Sequence, residues 1–224
     1  MNKIILLIIL TFFTLKTSGQ IGLINDADGY TNVRKEPSIK SEILYKVKEN
    51  EVFFIDVEYL NLESDWILIH IPKSKFSKYD SDWKPYDLNG FIHKSRIRDI
   101  DSLPTVTGNN IKLIFKIVKA DPNKDLDQGT FGLDIPLSIS YEVKDLTLEW
   151  NGERFPQLKE LYNDLYNVSF NEGIYDSTEE RFKIYFFIDT YFIRQKCADG
   201  GGYYEIVWVI RDGEIIQRLA GWII

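Results

Sequence analysis

Few residues of this chain do chemistry by themselves. His70 and His93 are its only histidines and Cys197 its only cysteine. Both histidines fall in the first half and the cysteine in the second, so the second half holds no Cys–His or Ser–His pair of its own for nucleophilic catalysis. Two histidines and one cysteine also fall short of a four-ligand zinc set. Asp121, Asn123 and Asp125 in DPNKDLDQG match the opening of a calcium loop. Leu126 then stands where the turn glycine belongs and Gly132 where the bidentate glutamate belongs, so the segment reads as a solvated loop. Glu149, Glu153, Asp189 and Glu205 lie on strand-like runs, and nothing fixes the separation that a glycosidase pair requires. DGGGYY precedes a strand and lacks a lysine, which makes it a hairpin turn rather than a phosphate cradle. No cofactor and no metal is expected.

Aromatic side chains are the remaining signal. Trp66 opens an apolar run and belongs to a core. Tyr79, Trp83 and Tyr86 sit in a polar segment, where they either line a groove for a peptide or sugar face or fold down as a lid. Tyr203 and Tyr204 beside the glycines fit cross-strand packing. Cys197 reads as a small buried hydrophobe, and a single cysteine builds no internal disulfide framework.

Residues 1–19, MNKIILLIILTFFTLKTSG, have the shape of an export signal: Lys3 before an apolar run from Ile4 to Leu15, then Thr17 and Gly19 as small residues ahead of a cleavage point. The run is shorter than the roughly 20 residues a spanning helix needs, and an uncleaved inner-membrane anchor is the alternative. Cleavage would remove two lysines and no acid, taking the net charge from −7 to −9. So acidic a chain is excluded as a general nucleic-acid binder, which needs a basic stripe.

The elements that must position these residues are mostly strands. Through Ile21 to Arg98, YTNV, EILYKV, EVFFIDVEYL, DWILIHI and GFIHKSRI predict five short strands between frequent turn signals, the pattern of a small barrel. DIDSLPTVTGNN, 99–110, reads as a joint. Beyond it, IKLIFKIVKA alternates as a half-buried strand, and LDIPLSISYEV and LTLEW follow in the same style. FPQLKELYNDLY predicts a helix, with Pro156 at its first position and Leu158, Leu161 and Leu165 on one face. Residues 182–224 predict an antiparallel meander of three runs, with Asp212-Gly213 as a tight hairpin. In EIVWVI, Ile206, Trp208 and Ile210 share one face and Val207 and Val209 the other, so this strand is expected at a sheet centre.

The stretch DGYTNVRKEPSIKSEILYKVKENEVFFID resembles the first half of a bacterial SH3 domain (SH3b). The matching positions are Asn32, Val33, Arg34, Pro37, Ser38, Ser41, Ile43, Leu44, Val47, Asn50 and Val52, then Trp66 in DWILIHI, and Gly90, Phe91, Ile92 and His93 in GFIHKSRI. Asn50 stands where the family prefers glycine, Glu36 where glycine is frequent, and an insertion, PKSKFSKYDSDWKPYDLN, replaces a tight loop. Asparagine tolerates the left-handed turn. Arg34 is expected to pin a loop by hydrogen bonds from its guanidinium. The resemblance implies recognition of peptides, commonly those of peptidoglycan, in a shallow aromatic groove. Cell-wall cysteine peptidases that often accompany such domains need a histidine after the cysteine, and Cys197 has none.

These readings combine into an exported protein: signal peptide 1–19, SH3-like barrel 22–98, joint 99–110, and a strand-rich α+β domain 111–224 with about one helix. The expected function is non-catalytic binding of a peptide or cell-wall polymer in the periplasm or outside the cell, with Tyr30, Tyr79, Trp83, Tyr86 and Phe91 as ligand residues and Arg34 and Trp66 as structural ones. No nucleic acid, and no membrane after cleavage, is expected as a partner. The alternatives are an inhibitor or partner of a basic secreted enzyme or toxin, which an acidic chain would suit, or a hydrolase in the second domain.

Overall fold

A computed structural model describes residues 20–56, 58, 63–71, 88–107, 110–126, 129–197 and 202–221. The predicted signal segment 1–19 therefore lies outside the described residues. The described elements are strands joined by turns and four short 3-10 turns. The first sheet contains β1 (Gln20–Ile24), β2 (Tyr30–Arg34), β3 (Ile43–Lys48), β4 (Val52–Ile55), β5 (Trp66–Ile71), β6 (Leu88–His93) and β7 (Ile97–Asp99), in the order β3-β2-β6-β5-β4-β1-β7. The second contains β8 (Ile111–Lys119), β9 (Tyr141–Trp150), β10 (Glu153–Pro156) and β11 (Gly173–Asp176), in the order β10-β9-β8-β11. The third is the meander β12 (Phe182–Phe187), β13 (Thr190–Cys197), β14 (Tyr204–Arg211) and β15 (Glu214–Gly221). No helix among the described residues is long and apolar enough to cross a membrane.

The expected helix is absent, and the α+β expectation is corrected to a mostly β fold of three antiparallel sheets. Asn151 and Gly152, at φ 51° and 86°, turn the chain tightly after β9, and β10 pairs back from Glu153 through Pro156. That consumes the start of the expected helix. Only a 3-10 turn, Lys159–Leu161, follows, and Leu158 stays 73% exposed. The Leu161 carbonyl accepts from Arg218 Nη1 at 2.7 Å, and the Asp164 carboxylate accepts from Arg218 Nη1 and Nη2 at 2.6 and 2.7 Å. Partners from β15 thus outweigh a local helical preference that is marginal over so few residues.

Two strands of the first sheet, β1 and β7, went unpredicted, and the meander has four strands rather than three runs. Ile188 adopts φ 58° in the turn between β12 and β13, a conformation that a β-branched residue rarely takes and that its type does not signal. Asp212 and Gly213, at φ 51° and 75°, join β14 and β15 in a two-residue hairpin.

The third sheet is the middle layer. On one face Phe182, Ile184, Ile193, Ile206, Trp208 and Ile210 pack against Leu113, Phe115, Leu146 and Leu148 of the second sheet. On the other, Tyr185, Phe192, Val207, Val209 and Leu219 pack against Ile21, Leu23 and Val52 of the first. The alternation along β14 is therefore apolar on both faces because both are covered. A third cluster, including Val33, Phe53, Ile67, Ile69 and Ile92, fills the first sheet itself.

Residues 99–107 of the expected joint are tied down. Ile100 and Leu103 are buried in the cluster between the first and third sheets, Val106 N–H donates to the Ile184 carbonyl at 2.9 Å, and Phe186 N–H donates to the Pro104 carbonyl at 3.1 Å.

Candidate functional site

Strand alternation places the expected binding residues of the first sheet. Cross-strand partners on the outer side of β5 and β6 are Trp66 with His93, Leu68 with Phe91, and His70 with Asn89. All six are partly accessible or exposed, while Ile67, Ile69, Ile71, Gly90 and Ile92 point inward. Trp66, expected in a core, is instead half-accessible on this outer side because strand alternation turns Ile67 inward, and it meets His93 edge-on with centroids 5.5 Å apart. His93 Nδ1 accepts from Ser95 N–H and so caps the 3-10 turn Lys94–Arg96. His70 Nδ1 lies 2.7 Å from Asn89 Oδ1. Arg34, the register partner of Phe91, donates from Nη1 to the Ser41 carbonyl at 2.7 Å across the turn that begins at Lys35. Tyr30 is 40% exposed, with Lys46 Nζ 4.4 Å from its ring centroid. It stands four positions from Arg34 along β2, about 13 Å, so Tyr30 stands apart from the Phe91 row. Tyr79, Trp83 and Tyr86 lie outside the described residues.

A second constellation escaped the sequence reading. Arg194 on β13 is only 4% exposed, and Glu205 on β14 is fully buried. Arg194 Nε donates to Glu205 Oε2 at 2.5 Å, and its Nη1 donates to Asp101 Oδ2 at 2.6 Å. The Tyr185 hydroxyl donates to the other Asp101 oxygen, and the Tyr203 hydroxyl donates to the other Glu205 oxygen. Lys183 Nζ lies 3.4 Å from Asp101. Around this network a depression of about 190 Å³ is lined by Asp101, Glu180, Arg181, Lys183, Arg194 and Lys196. The register explains the gathering: Lys183 faces Arg194, and Lys196 faces Glu205. The 3-10 turn Ile100–Ser102 brings Asp101 over them.

The electrostatics fix the charge states. Burial alone would raise the Asp101 carboxyl, but Tyr185, Arg194 and Lys183 outweigh it and hold the carboxyl below its ordinary value. Burial, and then the Glu205 carboxylate, push the Tyr203 phenol up. Burial and Asp101 do the same to Tyr185. Burial opposes the charge on Arg194, yet Glu205 and Asp101 keep it more firmly protonated. Cys197 is buried, and burial pushes its thiol up, away from nucleophilic use.

No family model, no curated protein and no solved structure matches this chain.

The other carboxylates named from the sequence are scattered. Glu149 pairs with Arg154 across the β9–β10 hairpin, and Asp189 accepts from the Thr190 hydroxyl. Tyr204 is buried, stacked on Phe131, with its hydroxyl donating to the Tyr166 carbonyl. Among the described residues no three His, Cys, Asp or Glu side chains converge as a metal site. One signal for the missed network was present: an arginine at an inward position of FIRQ, two residues from Phe192, requires a carboxylate, and Glu205 is the acid in the next strand.

Proposed function

We propose that this protein is an exported, non-catalytic binding protein of the bacterial cell envelope that holds a peptide against the outer face of β5 and β6. The observation that carries the reading is the row Trp66, Leu68 and Phe91, partly accessible on a rigid sheet, with His70, Asn89 and His93 interleaved. Apolar rings supply contact area, and the polar groups between them fix a chain's orientation. The SH3b-like motifs and the leader-like residues 1–19 support the same class of ligand and the same compartment. The titrating groups of the Arg194 network support binding over proton transfer, because each perturbed one is moved away from neutrality.

The test is retention of residues 20–224 on purified cell wall. The parent chain is expected to be retained, and Phe91→Ala, Trp83→Ala and Tyr86→Ala to be retained less, with unchanged circular dichroism. A parent chain that passes through unretained overturns the proposal.

A further inference from the structure

The depression over Arg194 is a different kind of surface from the aromatic row, and it lies on the middle sheet. Four of its six lining side chains are cations, in a chain whose net charge is −7. Their charges are unequally used. Arg181 is held by Glu179 at 3.1 Å and by the Val168 carbonyl. Lys183 leans toward Asp101. The ammonium of exposed Lys196 has no ion-pair or hydrogen-bond partner among the described residues, and only its backbone N–H is engaged, by the Arg181 carbonyl at 3.1 Å. Arg194 spends Nε on Glu205 and Nη1 on Asp101, while Nη2 has no acceptor among the described residues and the side chain lines the depression. A guanidinium nearly buried and fixed at two nitrogens presents the third in a set direction, with little conformational entropy left to lose.

We propose that this depression is an oxyanion-binding site, in which Arg194 Nη2 and the ammonium groups of Lys183 and Lys196 hold a phosphate or carboxylate group. The volume of about 190 Å³ suits such a group, since roughly 10–15 Å³ already admits one water. Charge-assisted bonds from three cations on two adjacent strands give both attraction and direction. Asp101 does not block the site, because Tyr185, Arg194 and Lys183 already engage its oxygens. Glu180, exposed at the rim, opposes the anion and tunes the affinity downward. The site is independent of peptide binding by the first sheet, and either can fail without the other.

Residues 20–224 are titrated with sodium phosphate and, separately, with sodium acetate. Ionic strength is held constant with chloride, and backbone amide NMR shifts on β12 and β13 are followed. Saturable shifts with phosphate alone mark a phosphate site, and saturable shifts with acetate mark a carboxylate site. Lys196→Ala, a surface change that leaves the network intact, is expected to weaken the response about tenfold, the scale of one charge-assisted bond. Glu180→Gln is expected to strengthen it, and Lys46→Ala on the first sheet to leave it unchanged. Shifts that fail to saturate with either anion, or that Lys196→Ala leaves untouched, overturn the proposal.

Discussion

Arg194 shows what a charge costs inside a layered β protein. Its guanidinium and the Glu205 carboxylate are both withdrawn from water and are tolerated because they lie 2.5 Å apart, with Asp101 and the Tyr203 hydroxyl engaging the remaining groups. Such a pair adds little net stability over an apolar pair, but breaking it leaves a bare charge behind. Arg194→Leu should therefore lower unfolding free energy by about 3–5 kcal/mol in urea titrations. Adding Glu205→Gln in the same chain should recover part of that loss, because the stranded charge is then gone. Equal losses in the single and double variants would refute this account. The same residues set the pH response. Asp101 has a lowered pKa, so its contribution is present above its ordinary value of 3.8 and disappears as pH falls through the folded value. Tyr185, Tyr203 and Cys197 have raised values, so theirs is complete below their ordinary 10.0, 10.0 and 9.0 and is lost as pH climbs beyond. Urea midpoints should match at about pH 6 and about pH 8 and drop at about pH 10 and about pH 3. A midpoint still rising at about pH 10 would contradict these signs.

Elements follow local signals wherever a turn and an alternating pattern agree, and depart where a distant partner intervenes. β8 and β14 were readable because their apolar residues repeat with the strand period, and the β14–β15 hairpin because Asp212-Gly213 suits positive φ. The β9–β10 hairpin carried the same kind of signal in Asn151-Gly152, but the leucine spacing just after it pointed to a helix. The turn prevailed, since a tight hairpin closes at once whereas an isolated short helix gains little. Gly152 at φ 86° has open space around its missing Cβ, so Gly152→Ala tests the backbone alone. It should cost about 1 kcal/mol and speed amide exchange in β10, leaving β12 to β15 as before. A neutral effect would remove the hairpin as the reason for the lost helix. The Arg194 site was not readable in this way, because Asp101 and Arg194 lie 93 residues apart and only the stacking of layers joins them.

At the scale of the molecule, the first sheet and the meander share one core, and buried polar contacts cross between them in its midst. Gln217, only 2% exposed, accepts from Val52 N–H and donates to the Val52 carbonyl, each at 2.9 Å. Val52 is the register partner of Leu23 on β1, but β4 pairs with β5 only at Phe54 and Ile55, so Gln217 takes the place of a β5 partner for Val52. Nearby, Asn50 holds φ 64° in the turn before β4 and donates to the Thr190 hydroxyl at 3.0 Å. A residue expected only to shape a barrel turn thus also fastens the first sheet to β13. With apolar packing on either side, the two halves should unfold as one unit. Gln217→Leu fills the space but strands both Val52 groups in a dry environment, at a cost of about 2 kcal/mol or more. In hydrogen exchange read by mass spectrometry, peptides from β4 and β5 and peptides from β13 to β15 should quicken together, with a single urea transition moved to lower concentration. Faster exchange confined to β15, or a transition that splits in two, would mean that the sheets are stable separately. The shared core would then be a contact between finished domains instead of a condition for either to fold.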